Sequence, residues 1–370
     1  MKKISIIILA LIYGNCLNIF SQLDNVTKIL EGGIEDANTL TKAYMEPFGK
    51  GFALDLSNGW YNTASTHGTL GFDITLSFSM ATIPSSLKTY DVTNLGLSKL
   101  TAGPIKTGPT IAGKKEDGAD LILTQNVNIP GGGTQSVTTS FKMPKGMNVP
   151  FVPSAMIQGG LGLPKGIEIM VRYMPTIKIG DYGKLGLWGV GLKHDIKQWI
   201  PVVNKTPFWS MSILLAYTSF KTSTTGQLYT PDPNNFYLSG VNMSDYDDQG
   251  VELQAKAFNA SLLLSTNIPV INVYGGIGIV SASSKLLLTG LYPIPDIPKD
   301  YDVAQSIANG ENIKMGVKNI KDPINIKMSS KSALKATIGL RLKLAVLTLH
   351  GDYSICDDYK LISAGIGFSF

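Results

Sequence analysis

The sequence has 370 residues, a formal net charge of +5 and a mean hydropathy of +0.13. Charged residues make up only 16% of it, whereas soluble domains carry about 25%. This balance argues against an ordinary soluble domain. The basic residues are not concentrated in one region, so no nucleic-acid partner is predicted.

The N-terminus has the pattern of a secretory signal peptide. Lys2 and Lys3 precede the apolar run Ile4–Ile12, and a plausible cleavage site follows, so residues 1–21 are predicted to be removed. The apolar run is too short to span a membrane as a helix.

Two cysteines bear on how the exported chain is held together. Asn15 is a poor residue to precede a lipidated Cys16, which makes a lipoprotein the weaker alternative. Cys356 is then the single cysteine of the mature chain, and no intramolecular disulfide is expected. A closed hydrogen-bonded barrel is a sufficient source of stability.

Residues 22–64 are predicted to form a helical plug. Apolar residues recur at spacings of three and four over Leu23–Tyr44, and Pro47 is expected to end this run. Gly32 and Gly33 interrupt it, so two short helices are an alternative. The stripe has to be buried, and the lumen or the periplasmic mouth of a barrel offers the place. An independent periplasmic docking helix is the other interpretation.

Residues 65–370 are predicted to form an antiparallel transmembrane β-barrel of about ten to fourteen strands. Apolar side chains alternate with small and polar ones, which is the pattern of a wall with lipid outside and a polar lumen inside. A weak hairpin, Leu121–Asn128 with Ser136–Met143, raises the number from ten to twelve, and merged elements would raise it to fourteen. The ten predicted strands are Gly68–Met80, Ser154–Leu163, Ile167–Ile179, Lys184–Ile200, Phe208–Phe220, Val251–Ser265, Val270–Leu291, Ser332–Leu344, Leu347–Ile355 and Tyr359–Phe370.

Three long segments between strands are predicted to be external loops, because such barrels have short periplasmic turns. They lie near residues 81–153, 221–250 and 292–331. The stretch Leu262–Ser284 is the one mature candidate for a membrane helix, but it contains Pro269 and several glycines. Its β-branched and aromatic residues favour strands.

The C-terminal strand carries the membrane assignment. Apolar side chains on one face, ending with Phe368 and Phe370, alternate with glycines and serines on the other. No residues follow to cover the apolar face, so it is predicted to contact lipid, which requires a closed barrel. The last strand of a soluble sandwich is the alternative. This terminus resembles the insertion signal of Gram-negative outer-membrane barrels, which implies outer-membrane lipid and the barrel assembly machinery as partners.

Charged and polar residues on the predicted inner faces are candidates for the lumen lining. Their mixed signs leave two interpretations: a positive stripe that favours passage of anions, or an internal ion-pair lattice that holds the plug. The candidate residues are Asp73, Glu168, Arg172, Lys335, Arg341, Lys343, His350 and Asp352.

No catalytic residue, cofactor or metal site is predicted, and the protein is not expected to be an enzyme. His350 and Asp352 are two residues apart on a strand, so their side chains lie side by side instead of pointing at each other. His67 has no partner that the sequence identifies. An acidic loop at residues 245–248 has Lys256 where a calcium-binding loop of the EF type needs Glu. Zinc-ligand spacing and phosphate-binding motifs are absent from the sequence.

Two motifs connect the chain to a family. The segments FALDLSNGWYNTASTHGTLGF, residues 52–72, and GVGLKHDIKQWI, residues 189–200, resemble those of an uncharacterised group of outer-membrane barrels, broadly similar to long-chain-fatty-acid transporters. The resemblance covers most of the mature chain. It implies an N-terminal hatch in the lumen and hydrophobic ligands that pass beside it.

The predicted function is an outer-membrane channel or transporter for a small hydrophobic solute, with the N-terminal segment as plug. A lateral opening or an apolar tunnel beside the plug would favour this function. The alternative is a non-transporting surface adhesin or an accessory barrel of a secretion or envelope complex. A lumen filled with side chains would favour that alternative.

Overall fold

The computed structural model describes residues 29–129, 133–178, 183–201, 206–231, 236, 238, 240–296 and 316–370. The predicted signal peptide at 1–21 and the first residues of the predicted plug lie outside this part of the chain. None of the helices in the described ranges is long and apolar enough to cross a membrane.

The described residues contain one α-helix and seventeen strands. The helix is α1 (Ile34–Asp55). The strands are β1 (Phe72–Thr82), β2 (Thr89–Asp91), β3 (Leu100–Ala102), β4 (Thr107–Pro109), β5 (Asp120–Ile129), β6 (Gly133–Lys142), β7 (Phe151–Leu163), β8 (Ile167–Lys178), β9 (Lys184–Asp195), β10 (Trp209–Thr225), β11 (Gly250–Thr266), β12 (Ile271–Thr289), β13 (Leu291–Asp296), β14 (Gly316–Lys321), β15 (Asn325–Leu344), β16 (Leu347–Cys356) and β17 (Tyr359–Ser369).

Ten strands form a closed antiparallel barrel in the order β1, β7, β8, β9, β10, β11, β12, β15, β16 and β17. The first and last strands pair in register from Asp73 and Ser369 to Thr82 and Lys360, and this pairing closes the wall. The predicted fold class is confirmed at ten strands, the lower end of the range. The predicted hairpin forms as β5 and β6, but it pairs with β3 in a separate external sheet and adds no strand to the barrel.

The apolar outer face follows from the period-two pattern. Ile74 on the first strand and Phe368 on the last are 57% and 51% exposed, whereas Thr75 between the outer positions of β1 is buried. The rings of Phe72 and Phe370 stack with centroids 5.0 Å apart where the barrel closes. No second sheet covers this face in the described residues, which rules out the sandwich alternative. A closed ladder with an apolar exterior is the architecture of outer-membrane proteins.

The helix prediction was wrong at its C-terminal end, and the predicted start at Leu23 lies outside the described residues. The helix α1 begins after Gly33, whose φ of 98° is unfavourable for residues with a side chain, and it continues through Pro47 to Asp55. Proline removes one backbone hydrogen bond, but the packed lumen around α1 holds the helix in place. The Tyr359 hydroxyl donates to the Pro47 carbonyl at 2.9 Å and thereby connects this part of the helix to the wall.

Several strand boundaries also differ from the sequence prediction. The largest extension is that of β15, which begins at Asn325 instead of Ser332, and two strands are shorter than predicted for a local reason. The first strand begins at Phe72 instead of Gly68, because Leu70 has a φ of 66° and forms a turn. The strand predicted to run to Ile200 ends at Asp195, and a short 3-10 helix, Lys197–Trp199, follows it.

The N-terminal chain passes through the whole barrel. The start of α1 lies at the rim of the long loops, where the Asn38 side chain donates to the Pro323 carbonyl at 2.9 Å. Sixteen residues after the helix lead to the opposite rim, where Phe72 pairs with Phe370. Long loops are external and short turns periplasmic in outer-membrane barrels. On this expectation we name the rim of the long loops the external rim and the opposite one the periplasmic rim. The chain runs from the first to the second before its first strand begins.

One carboxylate fastens the longest external loop to the plug. The Asp36 side chain is buried and accepts hydrogen bonds from the Ser98 backbone N–H at 2.6 Å and from those of Lys99 and Leu100 at 2.8 Å. Burial alone raises the pKa of Asp36, but the hydrogen bonds from this loop outweigh it and hold the pKa below the ordinary value of 3.8. Such a carboxylate stabilises the fold above its unfolded pKa, and the stabilisation is lost as the pH falls through the folded pKa.

We therefore expect Asp36→Asn to loosen the loop from the plug. Tryptic cleavage after Lys99 at neutral pH should accelerate about tenfold, because buried N–H groups lose a charged acceptor. The matched control is Asp91→Asn, which alters a local turn of the same loop. In pepsin digestion, the difference between Asp36→Asn and the unmodified protein should shrink as the pH falls below 3.8. Equal cleavage of the two asparagine variants at neutral pH would contradict the proposed fastening.

Candidate functional site in the plugged lumen

The external half of the lumen is apolar. Phe52 of α1 packs edge-on against Phe220 of β10, with ring centroids 4.9 Å apart. Glycines let the helix approach the wall: a Cβ on Gly49 would lie 2.5 Å from Met328 Cε. The side chains between helix and wall form one buried cluster, called the outer apolar cluster here. Its members include Leu40, Phe48, Phe52, Val152, Met156, Leu185, Leu187 and Phe220, with Met174 packed against it.

Below this cluster a polar layer, called the waist, holds the chain that follows the helix. Arg172 donates to the main-chain oxygens of Leu56 and Asn58 at 3.1 and 2.7 Å. Lys335 donates to the Ser57 carbonyl at 3.2 Å and to Asn58 Oδ1 at 2.9 Å. Both cations are fully buried.

An acidic side chain of the plug completes the waist. Asp55 accepts a hydrogen bond from Ser79 at 2.6 Å and another from Ser154, and it is fully buried. A buried carboxylate and two buried cations are stable only when their hydrogen bonds are made and their charges balanced. Arg172 and Lys335 therefore act in the lattice that holds the plug, which was one of the two interpretations for the lumen charges.

Trp60 lies in the lumen beneath the waist. Its indole is buried, and the Arg172 guanidinium carbon lies 3.9 Å from the ring centroid. The opposite wall consists of Gly189 and Gly191, where an added Cβ would lie 3.2 and 2.9 Å from Trp60 ring atoms. The two motifs used for the family resemblance thus meet, because the glycines of one accommodate the tryptophan of the other.

Under Trp60 a cavity of about 560 Å³ opens toward the periplasmic rim. We call it the vestibule. His67 Nε2 and Asp73 Oδ1 are 3.0 Å apart, and Lys193 Nζ lies 3.1 Å from Glu168 Oε1. The His67 backbone N–H donates to Glu168 at 3.0 Å.

The partners of His67 were missed in the sequence. They arise because residues 68–71 turn back and place the imidazole beside the first inward residue of β1. A glycine on each side of that turn, Gly68 and Gly71, was the available signal. Single ligand atoms from His67, Asp73 and Glu168 lie within 4.8 Å of one another. Both carboxylates already accept hydrogen bonds from protein groups, so the cluster is balanced internally.

The remaining predicted lumen residues lie between waist and vestibule. Arg341 and Lys343 line the vestibule. His350 pairs in register with Arg341, and both are buried. Asp352 accepts a hydrogen bond from Tyr274 at 3.0 Å and one from Ser363. The structure thus places Asp73, Glu168, Arg341 and Lys343 around one cavity, and Arg172 and Lys335 around the plug.

The contact between Trp60 and Gly191 predicts a specific coupling. Gly191→Val should destabilise the protein by about 1–3 kcal/mol, because the new side chain overlaps a rigid ring. In a double-mutant cycle with Trp60→Ala, the valine should cost much less. The measurement is the urea midpoint of barrel unfolding in lipid vesicles. The control is Gly159→Val on the outer face, where a Cβ would meet one atom at 3.7 Å. Additive effects in the cycle would show that the ring does not require the glycine.

Comparisons with known proteins identify a family and leave the activity unassigned. The model of one family of unknown function (DUF6588) matches residues 1–370. No curated protein matches the chain.

Solved outer-membrane barrels are distantly similar. The outer-membrane protease OmpT from Escherichia coli matches over 83% of this chain and 100% of its own, with 9% identity and a TM-score of 0.27. The translocator domain of autotransporter NalP from Neisseria meningitidis matches over 81% and 88%, with 9% identity and a TM-score of 0.23. A deltaS2 mutant of the TodX monoaromatic hydrocarbon channel matches over 82% and 90%, with 9% identity and a TM-score of 0.22. These scores carry no functional argument, and the fold rests on the closed ladder. By the match over its whole length, the chain belongs to the DUF6588 family of unknown function.

Proposed function

We propose that the protein admits a small hydrophobic solute from the outer leaflet into the outer apolar cluster, with the waist as a gate toward the periplasm. The observation that supports this most is an incomplete ladder in the barrel wall. The pairing of β7 with β8 comprises six residue pairs and ends at Gln158 and Arg172, whereas β10 and β11 form seventeen pairs.

Above this point each strand is paired on one side only. Residues 151–157 pair with β1, and Tyr173, Met174, Ile177 and Lys178 pair with β9. We call the boundary between them the seam. Pro175 of β8 lies where the pairing of β8 with β9 shifts register, between Met174 and Ile177. Proline has no N–H to donate to a ladder. Opening the wall here breaks no existing ladder bond, so the seam is where lateral passage costs least.

The seam leads to an apolar interior. Val152 and Met156 of β7 belong to the outer apolar cluster, and Met174 of β8 packs against it. Apolar side chains on both strands that border the seam suit a solute without charge, because a charged group would lose its hydration without gaining a partner. This arrangement supports the hydrophobic solute that the family resemblance implied.

The waist makes the proposed passage gated. Arg172, Lys335 and Asp55 hold residues 56–58 across the lumen, and Trp60 fills the space below them. A solute in the outer apolar cluster reaches the vestibule only when this segment moves. The proposal assigns no catalytic role to His350 or Asp352. It includes signal-peptide cleavage and insertion by the barrel assembly machinery through the terminal phenylalanines.

The seam is tested by closing it covalently. Ile157 and Tyr173 follow the last ladder pair and are both exposed on the outer face. In Ile157→Cys with Tyr173→Cys, oxidation should form a disulfide when the Cα atoms approach within about 7 Å. The protein-dependent uptake of the fluorophore N-phenyl-1-naphthylamine, taken as the difference between proteoliposomes and protein-free liposomes, should then fall about fivefold and recover on reduction. The buried Cys356 does not compete.

The matched control places the same bond where the ladder is complete. Leu161 and Ile169 are paired and exposed on the outer face. Oxidation of Leu161→Cys with Ile169→Cys should leave uptake unchanged. Equal loss in both pairs, or no loss at the seam despite complete disulfide formation, would contradict lateral passage.

The gate is tested by conductance in a planar bilayer. The unmodified protein should stay closed. Lys335→Met removes two hydrogen bonds to the plug and one of the two cations that offset the negative charge of Asp55. The open probability of the channel should therefore rise about tenfold or more. Lys331→Met, which removes an exposed cation of the same strand, is the control. Traces that stay closed in all three proteins would contradict a gate at the waist.

A surface scaffold is the second candidate. It is supported by the folded external sheets of residues 89–142 and by their attachment to the plug through Asp36. Under this alternative the lumen stays sealed and the fluorophore is not taken up, so the same two measurements separate the candidates.

A further inference from the structure

We propose that the vestibule is a binding site for a small organic anion that carries a carboxylate or phosphate group and arrives from the periplasm. The inference does not depend on the transport proposal, because the vestibule lies below the plug and opens at the rim opposite the external loops. It rests on an unpartnered buried cation, on the charge balance of the cavity wall, and on the shape of the cavity.

Arg341 is the main observation. Its side chain is 8% exposed and lines the vestibule, and its Nε has no hydrogen-bond partner among the described residues. A guanidinium carries five N–H donors in a planar fork, and a buried donor without an acceptor costs about 1–3 kcal/mol. The fork matches two oxygens of a carboxylate or a phosphate. Arg341 therefore lines the cavity as a cation for which the described residues supply no hydrogen-bond acceptor.

The acidic residues of the vestibule do not supply that acceptor in a hydrogen bond. Asp73 accepts from His67 at 3.0 Å and from Thr75 at 2.8 Å. Glu168 accepts from the His67 backbone N–H and pairs with Lys193 at 3.1 Å. Both carboxylates are thus engaged with other groups.

The charge of the wall favours an anion over a cation. Among the described lining residues, Lys193, Arg341 and Lys343 are cationic, and Asp73 and Glu168 are anionic. Among these Lys, Arg, Asp and Glu side chains, the cations are in excess by one. A metal ion at the three-residue cluster would have to displace the Lys193 ammonium from Glu168 and would face two further cations across the cavity. The same field raises the local concentration of anions.

The shape of the vestibule suits an organic anion. Its volume of about 560 Å³ lies in the range of small-molecule sites. Trp60, Tyr61 and Met170 contribute apolar surface at the inner end, and Ile268 and Pro269 do so on the turn between β11 and β12. A ligand can place its charged group on Arg341 and an apolar part against these side chains.

The test is calorimetric titration of the full-length protein in non-ionic detergent at constant ionic strength. The probes are inorganic phosphate and benzoate. We expect saturable binding of at least one probe, and the pair separates the two head groups: tighter phosphate binding identifies a phosphate ligand, and tighter benzoate binding identifies a carboxylate. Arg341→Gln should weaken binding about tenfold or more, and Arg341→Lys should weaken it less.

A second variant separates an electrostatic effect from a structural one. Glu168→Gln removes a negative charge and releases Lys193, so the affinity for the anion should rise severalfold. A variant that merely damaged the vestibule would lose affinity. Lys331→Gln, on the outside of the same strand as Arg341, should change nothing. Heat-modifiable migration on a gel verifies that each variant is a folded barrel.

Three results would overturn the proposal. The first is the absence of saturable binding of either probe to the folded protein. The second is equal affinity in Arg341→Gln and the unmodified protein. The third is a lower affinity in Glu168→Gln.

Discussion

The structure depends on the requirement that backbone N–H and C=O groups in hydrocarbon be paired within the protein. Ten strands meet it by closing into a cylinder, and the stacked rings of Phe72 and Phe370 lie where the cylinder closes. Closure fixes the alternation of every strand, because one face must then meet lipid and the other the lumen. The seam between β7 and β8 stands out against this background, since the wall there lacks the pairing found elsewhere in the barrel. Membrane barrels leave such edges only where protein can cover them or where the wall has to open.

A plug that passes through the lumen brings its own unsatisfied groups. Residues 56–58 are neither helix nor strand, and the barrel satisfies their carbonyls with side chains from several strands. Arg172 and Lys335 fill this role, so their charge serves attachment. Arg341 and Lys343 face an open cavity, where charge remains available to a ligand. The same residue types thus act differently on the two sides of Trp60, and the apolar cluster above is separated from a polar vestibule below.

Strands were easier to predict from the sequence than the plug or the site. The alternating pattern of Tyr359–Phe370 predicted its strand, because the alternation of faces does not depend on which strands lie beside it. The glycines on its inner face are explained by close contacts in the lumen. A Cβ on Gly365 would lie 2.3 Å from His350 Cε1. The C-terminal end of α1 was missed because Pro47 normally ends a helix, and only the enclosing wall explains why this helix continues.

The site needed information that local pattern does not hold. The alternation of apolar and polar residues predicted that Arg341 points into the lumen. Its lack of a hydrogen-bond acceptor depends on which strands face each other across the lumen. The pairing of His67 with Asp73 required the turn at Leu70, a residue with no tendency toward positive φ. Trp60 and the Gly189–Gly191 pair were both inside noted motifs, yet 129 residues separate Trp60 from Gly189 in the chain. Contacts over such a distance are set by the closed topology.

The direction in which α1 enters the barrel constrains how the molecule is assembled. The chain at Ile29 is at the external rim, while Phe72 and Phe370 meet at the periplasmic one. If the barrel closed first, the folded helix and the bulky indole of Trp60 would have to pass through its lumen afterwards. It is simpler for the strands to wrap around a leading segment that already lies across the bilayer, with β1 and β17 joining last. In this order of assembly the wall closes around residues 29–71, which serve as an internal template.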